Sequence, residues 1–104
     1  MTSREYRDFI LEQLSPTQGV TCRAMMGEYL IYLRGRLIGG IYDNRFLIKP
    51  TKSAKALMPE APFELPYEGA KEMLLVENIE DRDFMAELFN AVVDELPAPK
   101  KKKK

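Results

Sequence analysis

The stretch from Val20 to Lys49, VTCRAMMGEYLIYLRGRLIGGIYDNRFLIK, constrains the fold more than any other part of the chain. Nearly every residue in it suits a strand or a tight turn. Tyr, Ile, Leu and Val fill the runs, and Arg34-Gly35 and Asp43-Asn44 interrupt them as two-residue turns. The pattern predicts an antiparallel β-meander with the remaining elements laid around it.

Side chains alternate across a strand, so the turns also predict which residues share a face. Centring the first turn on Arg34-Gly35 places Leu33 opposite Arg36, Tyr32 opposite Leu37 and Ile31 opposite Ile38. Centring the second on Asp43-Asn44 places Tyr42 opposite Arg45 and Ile41 opposite Phe46. One face then collects Leu30, Tyr32, Leu37, Gly39, Ile41, Phe46 and Ile48, the expected core. The other collects Tyr29, Ile31, Leu33, Arg36, Ile38, Gly40, Tyr42, Arg45, Leu47 and Lys49, which is apolar but studded with cations. A monomer rarely leaves so much contiguous apolar surface in water. The second set is therefore the expected interaction face, and a homodimer its simplest use, because one patch serves both copies.

Around the meander, Thr2 and Glu5 fit a capping box ahead of a helix whose stripe is Tyr6, Phe9, Ile10 and Leu14. Gly27 suggests a bend or bulge after the first strand. Thr51 is positioned to cap a short helix, TKSAKALM, ended by Pro59 and Pro62. Phe63–Leu65 reads as a brief edge strand beside Pro66, and MLLV within Lys71–Glu77 as a strand covered on both sides. A last helix is expected from about Glu80 to Leu96, with Asn78 as a cap and Met85, Leu88, Phe89, Val92 and Leu96 inward. The predicted architecture is a two-layer α+β domain over residues 1–97, an antiparallel meander plus a two-strand segment packed by N- and C-terminal helices. Residues 98–104 are expected to form a disordered, Lys-rich tail.

Composition narrows the function. With 104 residues there is room for one core. The chain contains no histidine, which removes the commonest general base, the usual catalytic triad and most transition-metal sites. Its single cysteine, Cys22, lies among strand residues and reads as a buried, inert thiol; one cysteine allows no internal disulfide, so a reducing cytoplasm is the expected location. No apolar run approaches the ~20 residues that span a membrane, so no membrane partner is expected. Glu80, Asp81 and Asp83 suit a helix N-terminus without any catalytic role. G-R-L-I-G-G lacks the strand-loop-helix context of a phosphate loop, and Gly39 and Gly40 instead suggest close backbone approach. Neither an enzyme, a cofactor nor a metal is expected.

Formal charge sums to zero but is divided along the chain. Met1–Met58 carries nine basic and five acidic residues, Pro59–Pro99 two basic and eleven acidic, and Lys100–Lys104 closes with five lysines. The lysine run could hold polyanions loosely through counterion release, or serve only as a solubilising end. Arg34, Arg36, Arg45, Lys49, Lys52 and Lys55 could form a basic rim giving weak, non-specific contact with nucleic acid, although the acidic body opposes strong autonomous binding.

Thr21–Tyr29 reads T-C-R-A-M-M-G-E-Y and is followed by I-Y-L-R-G-R. It resembles the N-terminal domain of the TfoX/Sxy family, whose segment has the form T-x-R-x-M-F-G-G-Y-G-L-Y-x-D-G. Thr21, Arg23, Met25, Gly27, Tyr29, Tyr32 and Gly35 match, while Met26, Glu28 and Leu30 depart from it. The likeness continues through Asp43-Asn44, the F-L-I-K strand end, P-F-x-x-P-Y and a closing helix, so it spans nearly the whole chain. The resemblance implies a secretion-chaperone-like α+β fold and an association with regulation of DNA-uptake competence through a regulatory protein partner. It supplies no catalytic residues. Two further readings stand beside it: small-molecule binding or enzymatic use of a cleft near Pro59–Gly69, and weak DNA contact through the basic rim and tail.

Overall fold

Tight turns build the meander. In the computed structural model, which describes residues 2–96, β1 (Val20–Met25), β2 (Glu28–Leu33), β3 (Arg36–Ile41) and β4 (Phe46–Ile48) follow one another as antiparallel hairpins. Both central residues of each turn have positive φ, as the twist-matched two-residue hairpin turn requires. Arg34 and Gly35 stand at 51° and 83°, and Asp43 and Asn44 at 53° and 59°. Met26 (52°) and Gly27 (89°) make a third such turn, where the sequence had suggested a bend or bulge.

The chain then crosses through α2 (Lys52–Leu57) to β5 (Phe63–Glu64) and β6 (Met73–Leu75). Strand β6 inserts beside β4, giving the order β1-β2-β3-β4-β6-β5 with every pair antiparallel. Together with α1 (Arg4–Gln13), α2 and α3 (Arg82–Val92) contribute Ile10, Leu14, Ala54, Met85, Leu88, Phe89 and Val92 to a single buried cluster with the sheet. Phe46 and Phe89 meet at its centre, both fully buried, with ring centroids 6.0 Å apart. The expected two-layer α+β class is the fold the chain adopts. The Lys-rich tail lies outside the described residues.

The register corrects the expected faces. Leu33 pairs with Arg36 and Tyr32 with Leu37, as the first turn demands, but Ile31 pairs with Gly39 rather than Ile38. Ile38 is an extra residue in β3, a β-bulge, and beyond it the inward and outward sets exchange. Tyr29, Ile31, Leu33 and Ile38, expected on an exposed interaction face, belong with the helices; Ile31, Leu33 and Ile38 are fully buried there. Leu30, Tyr32 and Leu37, expected in the core, lie on the opposite face and are half-buried. Two features favour this outcome. Gly39 and Gly40 bring no side chains to resist the bulge, and a Tyr32 facing outward keeps its hydroxyl accessible to water. Expectations for Ile41, Phe46 and Ile48 hold, because they lie past the bulge.

Capping also differs at two helices. Ser3 caps α1, its Oγ accepting the Tyr6 N–H at 3.1 Å, so no Thr2 box forms. Asp81, not Asn78, caps α3 by accepting the Phe84 N–H at 3.0 Å, while Thr51 caps α2 as expected. The C-terminal end of α3 continues as a 3₁₀ turn, Val93–Glu95. Its orphan carbonyls are met from the sheet: Arg36 Nη1 donates to Val93 O at 2.9 Å and to Leu96 O at 3.1 Å. Arg36, expected on the interaction face, is therefore a cap within the fold.

Candidate functional site

Helices cover one face of the sheet. On the second face the loop 65–71, between β5 and β6, folds back toward Tyr42 and β3. That segment has no helix of its own and is held by Arg45. Arg45 Nε donates to Tyr42 O at 3.1 Å, Nη1 pairs with Glu64 Oε1 at 2.7 Å, and Nη2 reaches Pro66 O at 3.5 Å. Leu47 is fully buried although it lies outside the helix-side core. Tyr67 meets Tyr42 with centroids 6.1 Å apart and planes tilted by 57°. Tyr42 is 6% exposed while Tyr67 remains 58% exposed. Burial, and after it the neighbouring Tyr67, push the Tyr42 hydroxyl above its ordinary pKa.

Between this strap and β3 lies a cleft of about 440 Å³. Gly39 is part of its lining, and Gly40 follows it on β3. A Cβ on Gly39 would collide with the Leu47 carbonyl, and one on Gly40 would stand 2.6 Å from Tyr29 O and 2.7 Å from the Tyr42 ring. Bare backbone at Gly40 thus lets the Tyr42 ring lie against the strand. Leu37, Tyr67 and Met73 supply apolar walls, and Lys49, Lys71 and Glu72 supply the charge. A smaller cavity of about 250 Å³ lies between the end of α2 and β6, against Pro59 and Leu75. The chain segment singled out for a cleft, Pro59–Gly69, contributes to both through Pro59, Pro66 and Tyr67.

The residues expected to form one interaction face are divided by the bulge. Tyr29, Ile31, Leu33, Arg36 and Ile38 serve the helix side, whereas Tyr42, Arg45, Leu47 and Lys49 gather at the strap and cleft. The family-motif residues cluster in the first hairpin. Thr21 and Arg23 are exposed on β1, opposite Tyr32 and Leu30; Met25 is half-buried, and Gly27 completes the turn. Tyr29 lies under the Arg7 guanidinium, 5.1 Å from its ring centre. The basic rim does not form one surface, because Arg36 caps α3 and Arg45 is ion-paired on the opposite face. Cys22 is half-buried; burial, partly opposed by Arg7, pushes its thiol up and away from reactivity.

Sequence reasoning missed Lys71 and Glu72, since pairing across turns says nothing about a loop that folds back over the sheet. It also missed a polar node at Thr2. The Thr2 hydroxyl is within 2.6 Å of Glu28 Oε1 and 3.2 Å of Ile41 O, and it accepts the Asn44 N–H at 3.2 Å. Thr2 N–H donates to Gly27 O at 3.1 Å, and Asp43 N–H donates to Glu28 at 3.0 Å. Two hairpin turns and the start of α1 are tied at this one point. Burial raises the Glu28 carboxyl, but the hydrogen bonds from Thr2 and Asp43 outweigh it and hold the group below its ordinary value. A capping motif and a binding node use the same residue types, so the sequence signal pointed to the wrong role.

Among the described residues no three His, Cys, Asp or Glu side chains gather as a metal site would need, and no helix is long and apolar enough to cross a membrane. Fold and site together define a small α+β domain with helices on one side and a partly strapped aromatic face on the other. Over 103 residues the chain is 31% identical to an uncharacterized 12.7 kDa protein in the trpE 5′ region of Spirochaeta aurantia. The match spans 98% of this chain and 90% of the relative, and the chain belongs to that protein's family. No family model and no solved structure matches it.

Proposed function

We propose that the protein is a non-enzymatic, cytoplasmic regulatory domain, akin to the N-terminal domain of the TfoX/Sxy family, that binds a partner protein through the open half of its second sheet face. The observation that carries this reading is the one-sided helix layer. Leu30, Tyr32 and Leu37 form an apolar strip on β2 and β3 that neither the helices nor the strap closes, beside the exposed Thr21 and Arg23 of the motif hairpin. Half-buried aromatics next to an arginine suit a protein contact, where Tyr and Arg are enriched. A matching surface would be apolar with a carboxylate opposite Arg23.

Deleting the gene tests this reading. The expected result is a fall in DNA uptake and in transcripts of uptake genes. Wild-type protein restores both, and Tyr32→Asp, with an unchanged far-UV spectrum, does not. Unchanged uptake and transcripts after deletion would reject the regulatory role. Full rescue by Tyr32→Asp would reject the contact surface.

A further inference from the structure

The cleft beneath Tyr67 adjoins the open strip and shares Leu37 with it, but its chemistry is more selective. At about 440 Å³ it falls within the ~300–1,000 Å³ of small-molecule sites. Leu37, Tyr42, Tyr67 and Met73 give it an apolar, partly aromatic lining, and Gly39 adds bare backbone. Two tyrosine rings in the lining suit a flat, apolar body that can lie against an aromatic face. Tyr67 is a further pointer, since an aromatic ring 58% exposed to water is retained at the mouth in contact with a buried one.

Charge supplies the second half of the argument. Arg45 is neutralised by Glu64, but among the described residues neither Lys49 nor Lys71 has an ion-pair partner. Both line the cleft, with Glu72 as its one carboxylate, so the lining carries a net positive charge. A cationic ligand would be repelled, and a neutral one would leave two ammonium groups unused. We infer that the cleft is a binding site for a small planar molecule bearing one anionic group, a carboxylate or a phosphate. This site does not depend on the regulatory reading, because its charged residues lie outside the Leu30–Tyr32 strip.

The test is titration of the full, isotope-labelled chain with 1-naphthoate, 1-naphthyl phosphate and the uncharged 1-naphthalenemethanol, read by amide chemical shifts and melting temperature. Both anions should shift the signals of Leu37, Tyr42, Tyr67 and Ala70 and raise the melting temperature. The alcohol should bind about tenfold or more weakly, the equivalent of one lost charge-assisted hydrogen bond. The Lys49→Met/Lys71→Met double variant should erase that preference while still binding the alcohol, and Tyr67→Ala should weaken all three. The ranking of the two anions identifies which anionic group the site prefers. Equal binding of alcohol and anions, or no movement of cleft amides at millimolar probe, would overturn the assignment.

Discussion

At the residue scale, local strain and local charge make separable predictions. Met26 holds φ at 52° with its side chain 98% exposed, so it bears the cost of a left-handed conformation and gains no packing. Met26→Asn would create the Asn-Gly pair that such turns favour. It should stabilise the protein by about 0.5–1 kcal/mol in urea unfolding. A loss of stability would mean that Met26 makes a contact in solution. Glu28 makes a pH prediction. Its carboxyl is held below the ordinary value, so its contribution is complete above the ordinary glutamate range and vanishes as pH falls through the lower folded value. Glu28→Gln should therefore be less stable than wild type at neutral pH, and the gap should close on acidification below that range. A gap independent of pH would show that the Thr2 node acts by shape and not by charge.

At the scale of elements, β3 is where the sequence stopped being legible. Turn chemistry identified two hairpins because positive φ needs recognisable residues, and Arg34-Gly35 and Asp43-Asn44 display them. The helices were legible through their stripes, since Met85, Leu88, Phe89 and Val92 keep the helical period regardless of what they face. The bulge left no such mark. Gly39 and Gly40 signalled close approach, yet only the folded register shows that the strand takes in one extra residue between Ile31 and Tyr32 of its partner. That single residue moved Ile31, Leu33 and Ile38 from the surface to the core and divided the expected interaction face, which removes the original argument for a homodimer. The register has a direct test. Ile38→Ala should cost about 2–5 kcal/mol, as for a fully buried aliphatic side chain, and Leu37→Ala less than about half of that. The reverse order would restore the unbulged pairing. Arg36→Met should cost about 1–3 kcal/mol, because the carbonyls of Val93 and Leu96 lose their donor while the apolar stem is retained.

For the whole molecule, the asymmetry between the two faces matters more than either alone. The helix-side cluster runs from Ile10 through Phe46 to Leu96 and contains nearly all of the fully buried side chains, so it sets global stability. The strap contributes mainly the buried Pro66 and the Arg45–Glu64 pair, whose side chains are about a third exposed, and such ion pairs near the surface stabilise by only about 0–1 kcal/mol. Segments with few buried apolar contacts open at lower free energy than the core. The strap should therefore open without the rest of the domain unfolding, and the cleft should open with it. Arg45→Ala removes all three of its hydrogen bonds to the turn and strap at once. Amide exchange should then accelerate across residues 65–71, while β2 and α3 keep their protection and the melting temperature barely moves. Parallel loss of protection in β2 and β3 would mean that both faces form one cooperative unit, with the strap part of the core and not a movable wall of the cleft.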